Sequence, residues 1–308
     1  MKLISVQEYS KKAWFQKQEL TEKGKNIHTQ QAVLFALLQG ATELAPVSSL
    51  GHGILLPAIL GWKSLQMHKD FLPFMVALHL GTALALLLYF YRDWTDLCLG
   101  FLRWVTTSKS QLLKSDADHA RILLLVMGAS IPGGLLGFLL EKKIRVLFQS
   151  PKTAAIFLVA NGLVLFGGEI LKSRKKGIPL QDLPMGRAVL VGLFQAVALI
   201  PGFSRSGITM VGGIVNGLGH EEAARFSFLL ATPIILGAGV LEIPKMLRDH
   251  PPQMLHLSLV GAIVSFFTAW LTTFILMKYF RSFETSKALL PFGVYCLLVG
   301  GAAYWYMS

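Results

Sequence analysis

Charge is scarce in this sequence. Asp, Glu, Lys and Arg make up 15% of its 308 residues, while 53% are hydrophobic; soluble domains carry about 25% charged residues. The shortage excludes a soluble domain, or a tandem of them, and leaves a polytopic membrane protein. Acids are rarer than bases, 17 against 29, so a carboxylate inside an apolar run needs a reason. Cysteine is nearly absent. Cys98 and Cys296 stand alone in apolar surroundings and read as buried small hydrophobes, and without CxxC or Cys/His spacing zinc and iron–sulfur chemistry have no support. A cleavable leader is also missing, because Met1–Gln30 holds six lysines but no apolar core of about 7–15 residues. It reads as a polar extension at the membrane surface.

The net charge is +12, yet the basic residues form no stripe on a polar domain. They sit in short loops between apolar runs, where they set topology and meet anionic headgroups. No nucleic-acid partner is expected; membrane lipids are.

Residues 31–308 read as one membrane-embedded domain with halves of about 31–150 and 188–308. Six apolar stretches are long enough to cross a bilayer, which takes about 20 residues: Phe71–Tyr91, Ala120–Leu140, Thr153–Leu171, Ala223–Ile243, His256–Phe280 and Ala288–Tyr306. Trp94–Thr107 is amphipathic and suits the interface, and Lys109–His119 reads as a polar loop. Two further segments are apolar but interrupted. Residues 32–60 break at Pro46 and residues 188–219 at Pro201-Gly202; each arm is too short to cross, so both read as re-entrant hairpins. The fold expected is all-α, six transmembrane helices plus two re-entrant hairpins. Three crossings separate the hairpins, which inverts the second half relative to the first. Repeats of this kind with broken helices also build transporters, so the fold alone leaves enzyme and carrier open. The basic residues around 92–121, 172–187 and 278–287, with the extension left out, place those loops in the cytoplasm.

The two breaks carry the chemistry. Gln39–His52 reads QGATELAPVSSLGH and Gln195–Gly207 reads QAVALIPGFSRSG. Each has an interval from glutamine to glycine of equal length that encloses a proline break and a serine pair. A guanidinium in an apolar segment is costly unless it meets an anion, and the fork of Arg205 suits phosphate. A carboxylate would serve too: Glu43 is an available partner that could tie the hairpins together. Ser204, Ser206 and Gly207 open a half-helix whose free N–H groups and positive dipole end aim at the same place. Ser48 and Ser49 precede another, one hydroxyl free to cap it and the other to face substrate. His52 follows Ser49 by three residues and can take or return its proton. Glu43 is either a hard ligand for Mg²⁺ or Ca²⁺ or a base for water. Gln39 and Gln195 suit bonding to broken backbone; Gln39 is grouped with Ser48, Ser204, Ser206 and Gly207 as candidate substrate-binding residues. His79, inside the first crossing, reads first as core packing, and Glu169, Glu221, Glu222 and Glu242 as solvated helix ends.

At these residues the sequence resembles the undecaprenyl-pyrophosphate phosphatase family, the bacitracin-resistance type of integral membrane phosphatase. QGATELAPVSSLGH is similar to its first signature and PGFSRSG to its second, and the likeness runs from about Gln30 to the C-terminus. The resemblance implies hydrolysis of a polyprenyl pyrophosphate to the monophosphate and phosphate. It also implies a divalent cation, a multi-pass position in the bacterial inner membrane with the site facing the periplasm, and a part in cell-wall synthesis and bacitracin resistance. By the same resemblance Glu43 binds metal or acts as an acid, Ser49 is the nucleophile or contacts phosphate, His52 is the acid/base, and Arg205 with Ser204 holds the phosphate. Three departures stand out: Gln39 where many members have glutamate, Leu50 for a Ser or Thr, and Leu44-Ala45 for Phe-Leu. The rival expectation is a carrier that moves polyprenyl phosphate across the bilayer without cleaving it. Oligomeric state is not legible.

Overall fold

In hydrocarbon no water can satisfy the backbone, so every N–H and C=O must bond within the chain, and uninterrupted apolar runs become helices. The computed structural model describes residues 29–62, 71–144, 150–172, 177–249, 252–283 and 287–308. Most of the lysine-rich extension lies outside them. The described residues form helices, short 3-10 turns and one isolated bridge, Ile178 to Leu218. In chain order the helices are α1 Thr29–Thr42, α2 Ser49–Ile59, α3 Phe71–Tyr89, α4 Tyr91–Thr106, α5 Lys114–Ile144, α6 Pro151–Leu171, α7 Met185–Gln195, α8 Arg205–Val215, α9 His220–Asp249, α10 Pro252–Ser282 and α11 Leu290–Tyr306.

Four of these, α5, α6, α9 and α10, are long and apolar enough to cross a membrane among the described residues, and α3 with α4 makes a fifth if that pair is one span. The two meet at a bend of 72°, so the chain turns away at Phe90 and α4 runs aside, as its amphipathic sequence predicts. The sixth expected crossing, α11, has 17 residues, short by length alone. One boundary and one burial differ from expectation. α5 begins at Lys114, inside the expected polar loop, because Asp116 favours a first helical turn and is held by Arg103 at 3.1 Å. Cys98 is exposed on α4, while Cys296 is buried; one face of an amphipathic helix must look outward. Large apolar side chains such as Phe138, Leu163, Ile170 and Leu298 are more than half exposed, as lipid-facing residues of a multi-pass membrane protein should be.

Each of the two interrupted segments forms a pair of short helices, α1–α2 and α7–α8. Each first arm lies on a long helix of the other half, α1 on α10 and α7 on α5. Small residues permit the approach: a Cβ on Gly40 would stand 2.6 Å from the Thr268 Cβ, and one on Gly192 would collide with the Ala129 carbonyl. This interleaving brings the two breaks together inside the bundle.

Candidate active site

Pro46 has no N–H to continue α1, and residues 43–47 turn before α2 restarts at Ser49. Ser48 takes φ 68° and ψ 93°, the one positive-φ residue other than glycine among those described. That left-handed backbone lets its Oγ accept from the Gly51 N–H (3.1 Å), capping α2, while its carbonyl accepts from His52. In the second break Gly202 has φ 107°, and Ser204 caps α8 by accepting from the Gly207 N–H at 3.1 Å. A Cβ on Gly51 would lie 3.1 Å from the Gly202 Cα. The two tips touch.

Asn161 of α6, fully buried, joins them. Its Nδ2 donates to the Pro46 carbonyl (3.0 Å) and its Oδ1 accepts from the Ser204 N–H (2.9 Å). Ser206 donates to the Ala45 carbonyl at 2.9 Å, and the Ser204 and Ser206 hydroxyls lie 2.9 Å apart. The hydroxyls of Ser48, Ser204 and Ser206 are therefore engaged with backbone, and they and Gly207 frame the site.

Its centre is Glu43, 7% exposed. Arg205 donates from Nη2 to Oε1 at 2.7 Å. The other oxygen, Oε2, takes the Gln39 amide (3.0 Å), the Ser49 hydroxyl and His79 Nε2 (3.2 Å). The Nδ1–H of His79 donates to the Met75 carbonyl at 2.7 Å, so both ring nitrogens can face acceptors as donors only in the doubly protonated ring. The pairing of Arg205 with Glu43 is thus present, and it ties the hairpins. Arg205 keeps a second arm: its Nη1 is buried without a partner, as is the Gln39 Oε1. The carboxylate occupies only one arm of the guanidinium, and the free Nη1 is a buried donor set for an anion.

The structure brings together Gln39, Glu43, Ser49 and Arg205. It does not bring His52 to the Ser49 hydroxyl. The His52 Nδ1–H donates to the Ser48 carbonyl at 2.7 Å, and Nε2 faces the Tyr295 hydroxyl at 2.8 Å. His79 belongs to the site rather than to plain core packing. Asn161 and Tyr295 gave no signal in the sequence beyond being polar residues in apolar runs.

The residues present do not fit a resident divalent ion. No group of three or more His, Cys, Asp or Glu among the described residues could hold one. Glu43 is the one carboxylate of the cluster and already receives four donors, while Gln39 offers an amide where a second carboxylate would serve. Mg²⁺ and Ca²⁺ need oxygen ligands with free lone pairs, and ligation here would displace Arg205 or His79.

The family model described as bacitracin resistance protein BacA matches residues 32–302. The chain is 49% identical over 271 residues to undecaprenyl-diphosphatase 2 of Chromobacterium violaceum, covering 88% of this chain and 95% of that protein. It is 46% identical over 293 residues to an undecaprenyl-diphosphatase of Granulibacter bethesdensis, covering 89% and 96%. A third relative, the undecaprenyl-diphosphatase of Acidiphilium cryptum, is 48% identical over 273 residues, covering 87% and 94%.

Proposed function

Since the chain belongs to the BacA family of bacitracin resistance proteins, we propose that its touching hairpin tips are the phosphatase site of an undecaprenyl-diphosphatase. The enzyme hydrolyses undecaprenyl pyrophosphate to the monophosphate and phosphate, returning the lipid carrier to cell-wall synthesis. The relatives named above bear a diphosphatase's name, and no observation favours the carrier.

One observation carries the assignment of residues. Arg205 uses Nη2 on Glu43 and leaves Nη1 buried and unpartnered, half of a fork that fits a phosphate. A diphosphate engaging that fork competes with Glu43 for the guanidinium. As Arg205 turns to the substrate, Glu43 gives up its guanidinium partner and is free to take a proton from the hydroxyl that already donates to it. Ser49 then attacks the terminal phosphorus. Its Oγ–P bond forms, the bond from phosphorus to the bridging oxygen breaks, the proton passes to Glu43, and the bridging oxygen leaves with the prenyl phosphate. Glu43 hands that proton to the departing prenyl phosphate and, ionised again, takes one from water as the water attacks the phosphoserine. The Oγ–P bond breaks, Glu43 returns the proton to the Ser49 oxygen, and inorganic phosphate leaves. The free N–H groups opening α8 favour the added negative charge. Gln39, Ser48, Ser204, Ser206 and Gly207 hold this frame, and His52 lies at its edge as acid or base for the departing group. Mg²⁺ or Ca²⁺ is proposed only as an ion that would arrive with the diphosphate and offset its charge.

The finer topology is likewise a proposal: six crossings (α3, α5, α6, α9, α10 and α11) with α1–α2 and α7–α8 re-entering from opposite faces. α1 and α2 rise about 21 and 16 Å, short of a hydrocarbon core of about 30 Å. The basic loops lie on the cytoplasmic side, and the site, as family membership implies, opens to the periplasm of a bacterial inner membrane.

Phosphate release from undecaprenyl pyrophosphate in detergent, with and without EDTA, tests the reading. Arg205→Ala and Glu43→Ala should each lose about 100-fold or more, and acid quench of the wild type should trap phosphate on Ser49. Wild-type release from Arg205→Ala would remove the carrying observation; turnover with no phosphoserine, and normal release from Ser49→Ala, would replace Ser49 by water.

A further inference from the structure

His52 is clamped from two sides, and only one clamp belongs to its own hairpin. Ser48, held in a left-handed conformation, aims its carbonyl at Nδ1 (2.7 Å) and accepts the His52 backbone N–H as well at 3.2 Å. A carbonyl can only accept, so the proton of the neutral ring sits on Nδ1. Nε2 is then left as an acceptor, and the Tyr295 hydroxyl, 243 residues away in sequence, donates to it at 2.8 Å. The two rings stack, centroids 5.6 Å apart and planes 16° from parallel. Tyr295 is the titratable group facing His52 from α11; on its own element the ring meets the Ser48 carbonyl.

Tyr295 also marks where the polar site meets the hydrocarbon. Its ring is 41% exposed on the face of α11 that carries Val294 and Leu298, whereas His52 is 7% exposed. A tyrosine with an apolar body and a polar tip suits such a seam. Two nearby facts argue against simple packing. The exposed ring gains little from burial, and the hydroxyl reaches the single ring nitrogen that remains for chemistry. Which nitrogen of an imidazole carries the proton is set by the bond the other one makes.

Resting on the phosphatase reading above, we propose that Tyr295 is a positioning residue for that reaction. Through its O–H···Nε2 bond it fixes the tautomer and orientation of His52, and its outward ring lines the passage by which the prenyl phosphate reaches the site. The hydroxyl takes no part in bond making. It keeps the His52 Nε2 lone pair aimed along one line until substrate arrives.

The test is Tyr295→Phe, which keeps the ring and removes only the O–H, with Tyr295→Leu beside it to remove the ring. Full-length protein in detergent is measured for phosphate release from undecaprenyl pyrophosphate, for thermal midpoint, and for the ring-nitrogen NMR signals of ¹⁵N-histidine-labelled chain, His52 being assigned by its absence in His52→Gln. Tyr295→Phe should lower kcat about tenfold with KM within twofold and the midpoint unchanged, and the His52 signal should leave the single Nδ1–H tautomer. Tyr295→Leu should lower kcat as much and raise KM besides. Wild-type kcat in Tyr295→Phe, or loss of kcat with an unaltered His52 signal, would overturn the proposal. If the wild type itself released no phosphate, the phosphatase reading would fall, while the tautomer signal would still report whether Tyr295 holds His52.

Discussion

Glu43 has two oxygens and four donors, from Gln39, Ser49, His79 and Arg205. A buried carboxylate so crowded is stable while its cations stay, and removing its charge leaves Arg205 buried and unpaired. Glu43→Gln should therefore cost about 3–5 kcal/mol of stability and abolish measurable phosphate release. Arg205→Lys separates charge from shape. It keeps a cation for Glu43 but loses the second arm, so folding should survive while kcat/KM falls about ten- to a hundredfold. Equal unfolding midpoints for the two variants would contradict this split. The juxtaposition behind these predictions was legible in the sequence, because a charge in an apolar run must find a partner and each motif held one. Asn161 and Tyr295 were not: a lone asparagine or tyrosine in a crossing shows no local pattern, and their partners lie 115 and 243 residues away. His79 pointed to packing for the same reason, and Glu169, expected at a solvated helix end, is buried against His220.

At the level of elements, the breaks are governed by what their backbones forbid. Gly202 holds φ 107°, where a side chain is strained whatever the space; a Cβ there would also meet the Ala154 carbonyl and stand 2.7 Å from the Phe157 Cβ. Left-handed backbone alone costs a non-glycine residue about 1–2 kcal/mol, and overpacking adds about 1–3 kcal/mol. Gly202→Ala should accordingly lower the thermal midpoint by about 10 °C and displace the second tip. Gly186→Ala in α7 meets nothing within 4 Å and should be neutral or slightly stabilising, since alanine is the better helix former. A midpoint for Gly202→Ala as high as that of Gly186→Ala would show that the tips do not depend on this approach. Proline and glycine announced both breaks in the sequence. The start of α5 did not announce itself, because residues 114–119 lie beyond the apolar run and their helix is fixed by Arg103 on a neighbouring element.

Across the whole molecule, α6 is the helix on which both hairpins converge, packing against α2, α8 and α11. It carries two polar anchors eight residues apart, about 12 Å along its axis, and they should fail differently. Asn161 binds both tips, so Asn161→Leu leaves the Ser204 N–H buried without a partner, at about 1–3 kcal/mol, and the Pro46 carbonyl with only the weak Cys296 thiol at 3.9 Å. Nothing else described bridges those two groups, so the register between Arg205 and Glu43 should loosen and kcat should fall together with the midpoint. Glu169 does other work. It accepts from His220 Nε2 (2.9 Å), whose Nδ1 is met by Lys172 at 3.0 Å, and from the backbone N–H of Leu289 at 2.6 Å. It thereby ties the end of α6 to the starts of α9 and α11, away from the tips. Glu169→Gln keeps an oxygen for Leu289 but removes the charge, so the midpoint should fall by several degrees while kcat and KM of the folded enzyme stay within twofold. Measuring unfolding and phosphate release on both variants decides the matter. Normal turnover in Asn161→Leu would mean that the tips keep register without α6, and altered turnover in Glu169→Gln would mean that the far end of the bundle is coupled to the site.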